Sequence, residues 1–259
     1  MKMNLKKLFA ALSIFTLTAV GFTGCGEDQS ANSNLLKIGS TIDFAPFEFQ
    51  DEKQTDDYQG FDMDLIRAIS REIGKDIEIR DLAFDGLIPA LQAGNIDVAI
   101  SAITITDERK ENVLFSDSYY KSGLTVVIRD DDTSINSFAD LAGKNIAVRI
   151  GTTSANEAKK IENATVKEFN TPAECFIELQ NHGVDAVIND RPVNDYAIAK
   201  GDIQGVKSLS DVLTAEDYGI AMAKTNTDLQ KQVNDALKKL RDSGEYDQIY
   251  LKWFGTSEN

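Results

Sequence analysis

The stretch that decides the fold is Ser101-Ala102-Ile103-Thr104-Ile105-Thr106-Asp107-Glu108-Arg109. It follows a short apolar run, Ile96 to Ile100, that is typical of a buried strand, and it leads into a polar helix start at Thr106. Helix N-termini offer free backbone N–H groups, and an arginine adds a bidentate cation, so this arrangement suits the binding of a carboxylate. An ordinary capped junction with a solvated arginine has the same pattern, and the stretch alone does not separate the two.

The composition is that of a globular protein with room for one large domain or two modest ones. The 259 residues are 42% hydrophobic and 27% charged, with a formal net charge of −15. Such acidity argues against nucleic-acid binding, which needs a basic surface.

The N-terminus has the pattern of a secretory signal. Three lysines precede an apolar segment from Leu8 to Val20, and Thr23-Gly24-Cys25 follows. The apolar run is too short for a transmembrane helix. The end of the segment resembles a bacterial lipobox, although Phe22 replaces the usual aliphatic residue there. We therefore expect residues 1–24 to be a lipoprotein signal peptide, Cys25 to carry the lipid, and residues 25–34, which are polar and aperiodic, to be a flexible tether.

The chain has two cysteines and one histidine. If Cys25 is acylated, Cys175 has no partner for a disulfide, and its helical surroundings predict a small buried apolar residue. No Cys/His cluster has the spacing of a metal site, so the sequence predicts no metal and no cofactor.

Two α/β series follow one another along the chain. In the first, a strand pattern at Leu36 to Ser40 alternates with helical patterns that start at Gly60 and after Phe84, and it ends at Ile100. Such alternation predicts a parallel sheet with helices on its faces. Phe44, Phe84 and the 101–104 loop all come just after strands, at the sheet edge where ligands bind in such folds.

The second series begins after the extended run at 124–129. Its patterns are a strand at Asn145 to Ile150, a helix with a capping-box spacing at Ser154 and Glu157, and a clear helix start at Thr171-Pro172-Ala173-Glu174. A strand at Val184 to Ile188 then leads into Asn189-Asp190-Arg191-Pro192. A long amphipathic helix at 227–243 and an aromatic-rich segment end the chain.

These residues resemble the periplasmic-type binding proteins for polar amino acids that feed ABC importers, family 3, and especially the glutamine-binding members. The resemblance covers the whole mature chain in the right order. It is carried mainly by the blocks Ala45-Pro46-Phe47-Glu48-Phe49, Gly60-Phe61-Asp62, Phe84-Asp85-Gly86-Leu87-Ile88-Pro89-Ala90-Leu91, Ile103-Thr104-Ile105-Thr106-Asp107-Glu108-Arg109-Lys110 and Ser118-Tyr119-Tyr120-Lys121-Ser122-Gly123.

The resemblance implies an α/β, two-lobed periplasmic-binding-protein fold. Each lobe is a mainly parallel sheet flanked by helices, and two crossover strands join the lobes. On this basis lobe 1 is predicted at residues 35–126 plus 222–259 and lobe 2 at 128–216. The hinge is predicted near 127–131 and 217–221.

The resemblance also implies a set of ligand contacts. Phe44 and Phe84 would sandwich the aliphatic part of the ligand, and Arg109 would clamp its α-carboxylate with backbone N–H groups of Thr104 and Thr153. Asp190, with Ser101 and Thr104, would hold the α-ammonium, and Arg149 would lie near the ligand side chain. The predicted ligand-binding set is Phe44, Phe84, Ser101, Ala102, Thr104, Arg109, Arg149, Thr153 and Asp190.

The choice of amino acid rests on the far end of the cleft. A cation at Arg149 disfavours basic ligands, and Thr41 stands where several family members carry an acid. Asp43 could neutralise Arg149 if it faces the cleft, which would disfavour glutamate. Glutamine suits either arrangement, so we rank glutamine first, glutamate second, and cystine or a basic amino acid behind them.

The predicted role is therefore that of a monomeric, non-enzymatic solute-binding lipoprotein. It would be held outside the cytoplasm on the cell membrane and would deliver its amino acid to the permease subunits of an ABC importer. Two alternatives stay open: an amino-acid sensor that presents its ligand to a receptor, and a periplasmic dehydratase-like enzyme on the same scaffold. Against the enzyme, no nucleophile–base pair is apparent.

Overall fold

The structure is a computed structural model, and it describes residues 34–50 and 57–255. The predicted signal peptide, Cys25 and nearly all of the predicted tether lie outside the described residues. Within the described part of the chain, no helix has the length and apolar composition needed to cross a bilayer.

The first half of the chain forms strands and helices in alternation, with a small three-stranded sheet inserted after the first strand. In order, the elements are β1 (Leu35–Ser40), β2 (Asp43–Phe44), β3 (Glu48–Gln50), β4 (Tyr58–Gln59), α1 (Phe61–Glu72), β5 (Asp76–Asp81), α2 (Leu87–Gln92), β6 (Val98–Ala99), α3 (Asp107–Lys110) and β7 (Val113–Phe115).

The second half repeats the alternation and then returns to the first sheet. Its elements are β8 (Tyr120–Arg129), β9 (Asn145–Arg149), α4 (Thr153–Ala158), β10 (Thr165–Phe169), α5 (Pro172–Gln180), β11 (Ala186–Asp190), α6 (Arg191–Lys200), β12 (Val206–Ser208), β13 (Ala215–Tyr218), β14 (Ala221–Ala223), α7 (Thr227–Ser243) and α8 (Glu245–Phe254). Short 3-10 helices at Phe84–Gly86 and Phe138–Leu141 complete it.

Two sheets organise these elements, and each has one reversed strand. The first has the order β5-β1-β6-β14-β7, in which only β14 is antiparallel to its neighbours. The second has the order β10-β9-β11-β8-β12, in which β8 is the reversed strand. We call the first sheet with its helices lobe 1 and the second lobe 2. The α/β, two-lobed architecture predicted from the sequence is confirmed.

Helices cover both faces of each sheet because their apolar stripes need burial. Leu65, Ile66 and Ile69 of α1 are buried with the apolar faces of α7 and α8, so the C-terminal segment packs on lobe 1, while α2 lies on the other face. In lobe 2, α4 lies on one face and α5 and α6 on the other. Cys175 on α5 is buried in this core, as predicted, and burial raises the pKa of its thiol to about 12.

The chain crosses between the lobes on two paired strands. The start of β8, Tyr120–Gly123, pairs with β13, whereas Leu124–Val127 of the same strand pair with β11 of lobe 2. The strand therefore changes partners between Gly123 and Leu124, before the interval 127–131 where the sequence predicts the hinge, and the hinge itself stays a prediction. An apolar run gives no sign of where its strand changes partners, so this boundary could only come from the pairing itself.

Candidate ligand-binding site

A narrow cavity lies between the two lobes. Its lining contains all nine residues predicted from the sequence together with one that was missed, Thr152: Phe44, Phe84, Ser101, Ala102, Thr104, Arg109, Arg149, Thr152, Thr153 and Asp190. They come together because most of them follow strands whose carboxyl ends meet at this edge of each sheet.

Arg109 is positioned by a single helical turn. Thr106 caps α3 by accepting a hydrogen bond from the backbone N–H of Arg109 at 3.1 Å. The guanidinium donates to the carbonyl of Thr104 at 2.8 Å and, across the cleft, to the carbonyl of Gly151 at 3.0 Å. Burial lowers the pKa of Arg109, but a guanidinium remains charged at any ordinary pH. The residue therefore offers a fixed cation, aligned by carbonyl oxygens, to an anion in the cavity.

Opposite Arg109, the start of α4 brings further hydrogen-bond donors to the cavity. The cap is Thr152, whose hydroxyl accepts from the N–H of Ala155 at 3.2 Å. The predicted capping box at Ser154 and Glu157 is therefore wrong as a helix start, because Ser154 already lies inside the helix. The Thr152 hydroxyl also donates to the carbonyl of Arg149 at 2.6 Å, which ties this turn to the end of β9.

Asp190 supplies a carboxyl group from lobe 2. It stands at the N-cap position of α6, but its side chain makes no cap hydrogen bond and instead accepts one from the hydroxyl of Tyr218. Burial, reinforced by the nearby charge of Glu216, raises the pKa of Asp190 to about 7. A cation bound beside it, such as an ammonium, would favour the ionised form.

A second guanidinium lines the same cavity. Arg149 is 3% exposed, donates to the carbonyl of Asn170 at 3.0 Å, and forms an ion pair at 3.1 Å with Asp43 of lobe 1. Its guanidinium carbon lies 5.3 Å from the ring centre of Phe84 and 5.9 Å from that of Phe44, at cation–π distance from both. Whether Asp43 faces the cleft was open from the sequence. In the structure Asp43 is not among the residues that line the cavity, but its ion pair offsets the charge of Arg149.

Glu216 is a site residue that the sequence analysis missed. It lies on crossover strand β13, is 7% exposed, and accepts a hydrogen bond from the Thr104 hydroxyl at 2.9 Å. Burial raises its pKa, while hydrogen bonds with Thr153 and Thr104 lower it. Glu216 thus contacts one hydroxyl from each lobe. The sequence shows an extended run next to Glu216 that includes Tyr218. Nothing in that run indicates that the side chain of Glu216 is buried.

The charged and apolar groups of the lining indicate which kind of ligand this cavity can hold. Arg109 stands with the α4 turn on one side, Asp190 faces the cavity from lobe 2, and Phe44 and Phe84 provide apolar walls. This arrangement suits a small zwitterion with an aliphatic portion. Among residues 34–50 and 57–255, no group of His, Cys, Asp and Glu has the geometry to hold a metal ion.

Comparison with known proteins agrees with this geometry. Residues 36–256 match the family model described as bacterial extracellular solute-binding proteins, family 3. The chain therefore belongs to family 3 of the bacterial extracellular solute-binding proteins, and the resemblance to this family stated from the sequence is confirmed.

Three relatives match over nearly their whole lengths. A probable histidine-binding protein of Neisseria gonorrhoeae is 36% identical, and the match covers 97% of each chain. The arginine-binding extracellular protein ArtP of Bacillus subtilis is 33% identical, with 98% of each chain covered. The ABC transporter glutamine-binding protein GlnH of the same species is 31% identical, with 96% of this chain and 97% of the relative covered.

Solved structures show the same architecture. An ancestral arginine-binding protein bound to arginine has a TM-score of 0.82 at 41% identity, covering 86% of this chain and 99% of the other. An ancestral arginine-binding protein bound to glutamine has a TM-score of 0.79 at 40% identity, with the same coverage. An ancestral amino-acid-binding protein described as a precursor of cyclohexadienyl dehydratase has a TM-score of 0.78 at 38% identity, covering 85% of this chain and 96% of the other.

Proposed function

We propose that this protein captures one polar L-amino acid between its lobes and delivers it to an ABC importer. The observation that carries the proposal is the pair of opposite charges, Arg109 from lobe 1 and Asp190 from lobe 2, on the wall of one cavity. A free amino acid carries a full charge of each sign, and burial of either without a partner costs several kcal/mol. Relatives named as histidine-, arginine- and glutamine-binding proteins support the same class of ligand.

The contacts suggest which residue binds which part of the ligand. Arg109 would turn its guanidinium toward the α-carboxylate, assisted by the N–H groups at the start of α4, since the first N–H groups of a helix lack intrahelical acceptors. Asp190 would accept from the α-ammonium. Because these groups belong to different lobes, both charges are matched only when the lobes are together, so ligand binding favours the closed state.

Glutamine is our first choice of ligand and glutamate our second. The ion pair of Asp43 with Arg149 makes the side-chain end of the cavity close to neutral. Arg149 lines the cavity and could donate to the carbonyl of a ligand amide, while Asp43 offsets its charge from behind. A carboxylate side chain would be repelled by Asp43, and a basic side chain by Arg149.

Isothermal titration calorimetry of the purified mature chain against the twenty common amino acids and cystine, at pH 8, tests this function. We expect glutamine to bind most tightly, ahead of glutamate, arginine and histidine. The absence of binding by any amino acid would overturn the function. Tightest binding of arginine or histidine would overturn only the ranking.

Closure about the crossover strands is the physical event that we propose. The lobe boundaries would follow the crossings near 120–123 and 215–218, and the protein would act as a monomer. Small-angle scattering should show a smaller radius of gyration with saturating ligand. Arg109→Ala is the matched control, because it should stay open at the same ligand concentration. An unchanged radius in the wild type would contradict closure.

We also propose that Cys25 is acylated and anchors the protein to the outer face of the cytoplasmic membrane. Changing Cys25 to Ser should release the protein from membranes or leave it unprocessed. Cys175→Ala serves as the control, since it removes the other cysteine from a buried helix without touching the predicted lipobox. A Cys25→Ser protein that is processed and retained on membranes would refute the anchor.

Two alternatives are separable by direct assays. An enzyme of the dehydratase type has some support from the similarity to the ancestral precursor of a dehydratase and from the raised pKa of Asp190, which makes it a usable acid. NMR of the protein incubated with its tightest ligand would reveal a new product. A sensor would bind the amino acid and yet leave its uptake unchanged in a deletion strain.

A further inference from the structure

Beneath the loop that lines the cavity lies a buried pair of acidic side chains. Glu48 from β3 and Asp62 from the first turn of α1 are both 0% exposed. The charge of Asp62 raises the pKa of Glu48, so the two carboxyl groups are close enough to interact. Two ionised carboxylates have no hydrogen to share, so a hydrogen bond between them would need one proton on the pair.

The outer oxygens of the pair hold two successive residues of the cavity wall. Glu48 Oε1 accepts from the hydroxyl of Ser101 at 2.8 Å, and Asp62 Oδ2 accepts from the backbone N–H of Ala102 at 2.8 Å. The hydroxyl of Tyr119 also donates to Asp62 Oδ2 at 2.8 Å. The remaining oxygens, Glu48 Oε2 and Asp62 Oδ1, are buried and have no hydrogen-bond partner among the described residues, so a proton shared between the two carboxyl groups would satisfy both.

The environment assigns the proton to Glu48. Burial, together with the charge of Asp62, raises the pKa of Glu48 well above its ordinary value of 4.5. Burial also raises the pKa of Asp62, but hydrogen bonds from Ala102, Tyr119 and Glu48 limit it to about 6. Near neutral pH the pair therefore carries one negative charge, on Asp62, which receives three donors.

The loop needs such support because its backbone is strained. Ala102 has φ 46°, in the left-handed region that residues other than glycine and asparagine rarely adopt. Such a conformation persists only where its surroundings determine it, and here the N–H of that residue points at a buried carboxylate. The Ser101 hydroxyl, held by Glu48, also accepts from the backbone N–H of Thr41, which joins the loop to the end of β1.

We propose that Glu48 and Asp62 share one proton and act as positioning residues for the amino-acid site, holding Ser101 and Ala102 in the conformation that lines the cavity. The inference rests on the proposed function, because it concerns the same site. The pair touches no ligand itself. The pair has further charged or titratable neighbours. The charge of Asp43 on β2 raises the pKa of Glu48, and Tyr119 donates to Asp62 and interacts in turn with Tyr218 of β13.

The test compares Glu48→Ala, Glu48→Gln and Asp62→Asn with the wild type. A glutamine at position 48 can donate an amide hydrogen where the proton was and still accept from Ser101, whereas alanine removes both contacts. We expect Glu48→Ala to weaken glutamine binding at pH 8 by about tenfold or more, in line with about 1–3 kcal/mol for an unsatisfied buried partner. Glu48→Gln should restore most of that affinity. Asp62→Asn should not preserve the affinity, because it removes the negative charge from the carboxylate that accepts three hydrogen bonds.

Urea unfolding between pH 5 and pH 8 tests the shared proton separately. A carboxyl whose pKa is raised by folding loses stabilising effect as the pH rises from its unfolded value toward its folded value. Wild-type stability should therefore fall more steeply above pH 4.5 than that of Glu48→Gln, which cannot lose the proton. Equal slopes would overturn the shared proton, and this comparison holds even if Glu48→Ala fails to fold.

The outcomes also separate this inference from the proposed function. If the wild type binds no amino acid, the proposed function and the positioning role both fail, while the slopes still report on the shared proton. If the wild type binds and Glu48→Ala binds equally tightly despite lower stability, the pair is only structural and the positioning role fails. Loss of affinity in Glu48→Ala with rescue in Glu48→Gln supports it.

Discussion

Two arginines from different lobes line the same cavity, and they are held differently. Arg109 of lobe 1 donates to the carbonyls of Thr104 and Gly151, while Arg149 of lobe 2 forms an ion pair with Asp43. Both guanidinium groups lie over the ring of Phe84, at 5.4 and 5.3 Å from its centre. Phe84 is therefore in contact with both cations. Neutral carbonyl oxygens align Arg109, whereas a carboxylate already neutralises Arg149.

The difference indicates which arginine is available to a ligand. Carbonyl acceptors orient a guanidinium without cancelling its charge, so Arg109 can still gain from a carboxylate. Arg149 would have to share or exchange its partner, which makes it a determinant of selectivity rather than of affinity. On the proposed function, Arg109 recognises what all amino acids have in common, and Arg149 with Asp43 recognises how they differ.

The largest effect should come from Arg109. Changing it to Ala leaves the buried α-carboxylate of the ligand unpaired, which costs about 3–5 kcal/mol, or roughly two to four orders of magnitude in affinity. Calorimetry at pH 8 measures the loss. Arg109→Lys keeps the charge but loses the planar fork, so it should fall between Ala and the wild type. If Arg109→Ala binds as tightly as the wild type, Arg109 is not the common recognition element.

The next largest effect should be that of pH, through Asp190 opposite Arg109. The pKa of Asp190 is raised to about 7 in the absence of ligand, and an ammonium needs the ionised form. Below pH 7, affinity should therefore fall about tenfold per pH unit. The stability of the ligand-free protein should run the other way, decreasing as the pH rises from the ordinary value of 3.8 toward 7.

Glu216 provides the control for this titration. Its charge helps to raise the pKa of Asp190, so Glu216→Gln should shift the midpoint of the affinity profile to lower pH. Titrations from pH 5 to pH 8 with both proteins would show it. A flat profile in the wild type would mean that Asp190 is not the group that receives the ligand ammonium.

Removal of the carboxylate beside Arg149 should change selectivity more than affinity. In Asp43→Asn, a guanidinium that is 3% exposed loses its counter-charge and should seek one on the ligand. We expect the preference for glutamine over glutamate to fall by about tenfold, or ~1.4 kcal/mol. Asp81→Asn removes a charge from a nearby exposed position and should leave the ratio unchanged. If both variants behave alike, the ion pair does not select the ligand.

The smallest effect should come from Gly151, whose carbonyl receives Arg109. Gly151 has φ 75°, and a Cβ there would lie 3.0 Å from Cβ of Asp85 in the other lobe. Gly151→Ala should lower folding stability by about 1 kcal/mol through backbone strain and weaken binding a few-fold by hindering closure. Gly74→Ala is the matched control, with φ 67° and open space around it. Equal binding by both variants would show that the contact with Asp85 does not matter.

The sequence by itself determined the elements and most of the cavity wall. Strands and helices such as β9, α1 and α5 follow from local apolar periods and caps, and Thr171 with Glu174 forms the capping box that their spacing predicts. The residues just after strands, Phe84 and Ser101 among them, share a cavity because parallel strands end at one sheet edge. For these residues, the place in the fold can be inferred from the place along the chain.

Only the tertiary structure decided which charged side chains face one another. Asp43 and Arg149 are 106 residues apart in sequence, Thr104 and Glu216 are 112 apart, and Asp62 meets Ala102 across 40 residues. These contacts depend on strand order, on the early crossing of β8, and on the distance between the lobes. Local patterns encode none of the three. An Asp or Glu reads the same in the sequence whether it is buried or exposed, and only the groups packed around it in the fold make the difference.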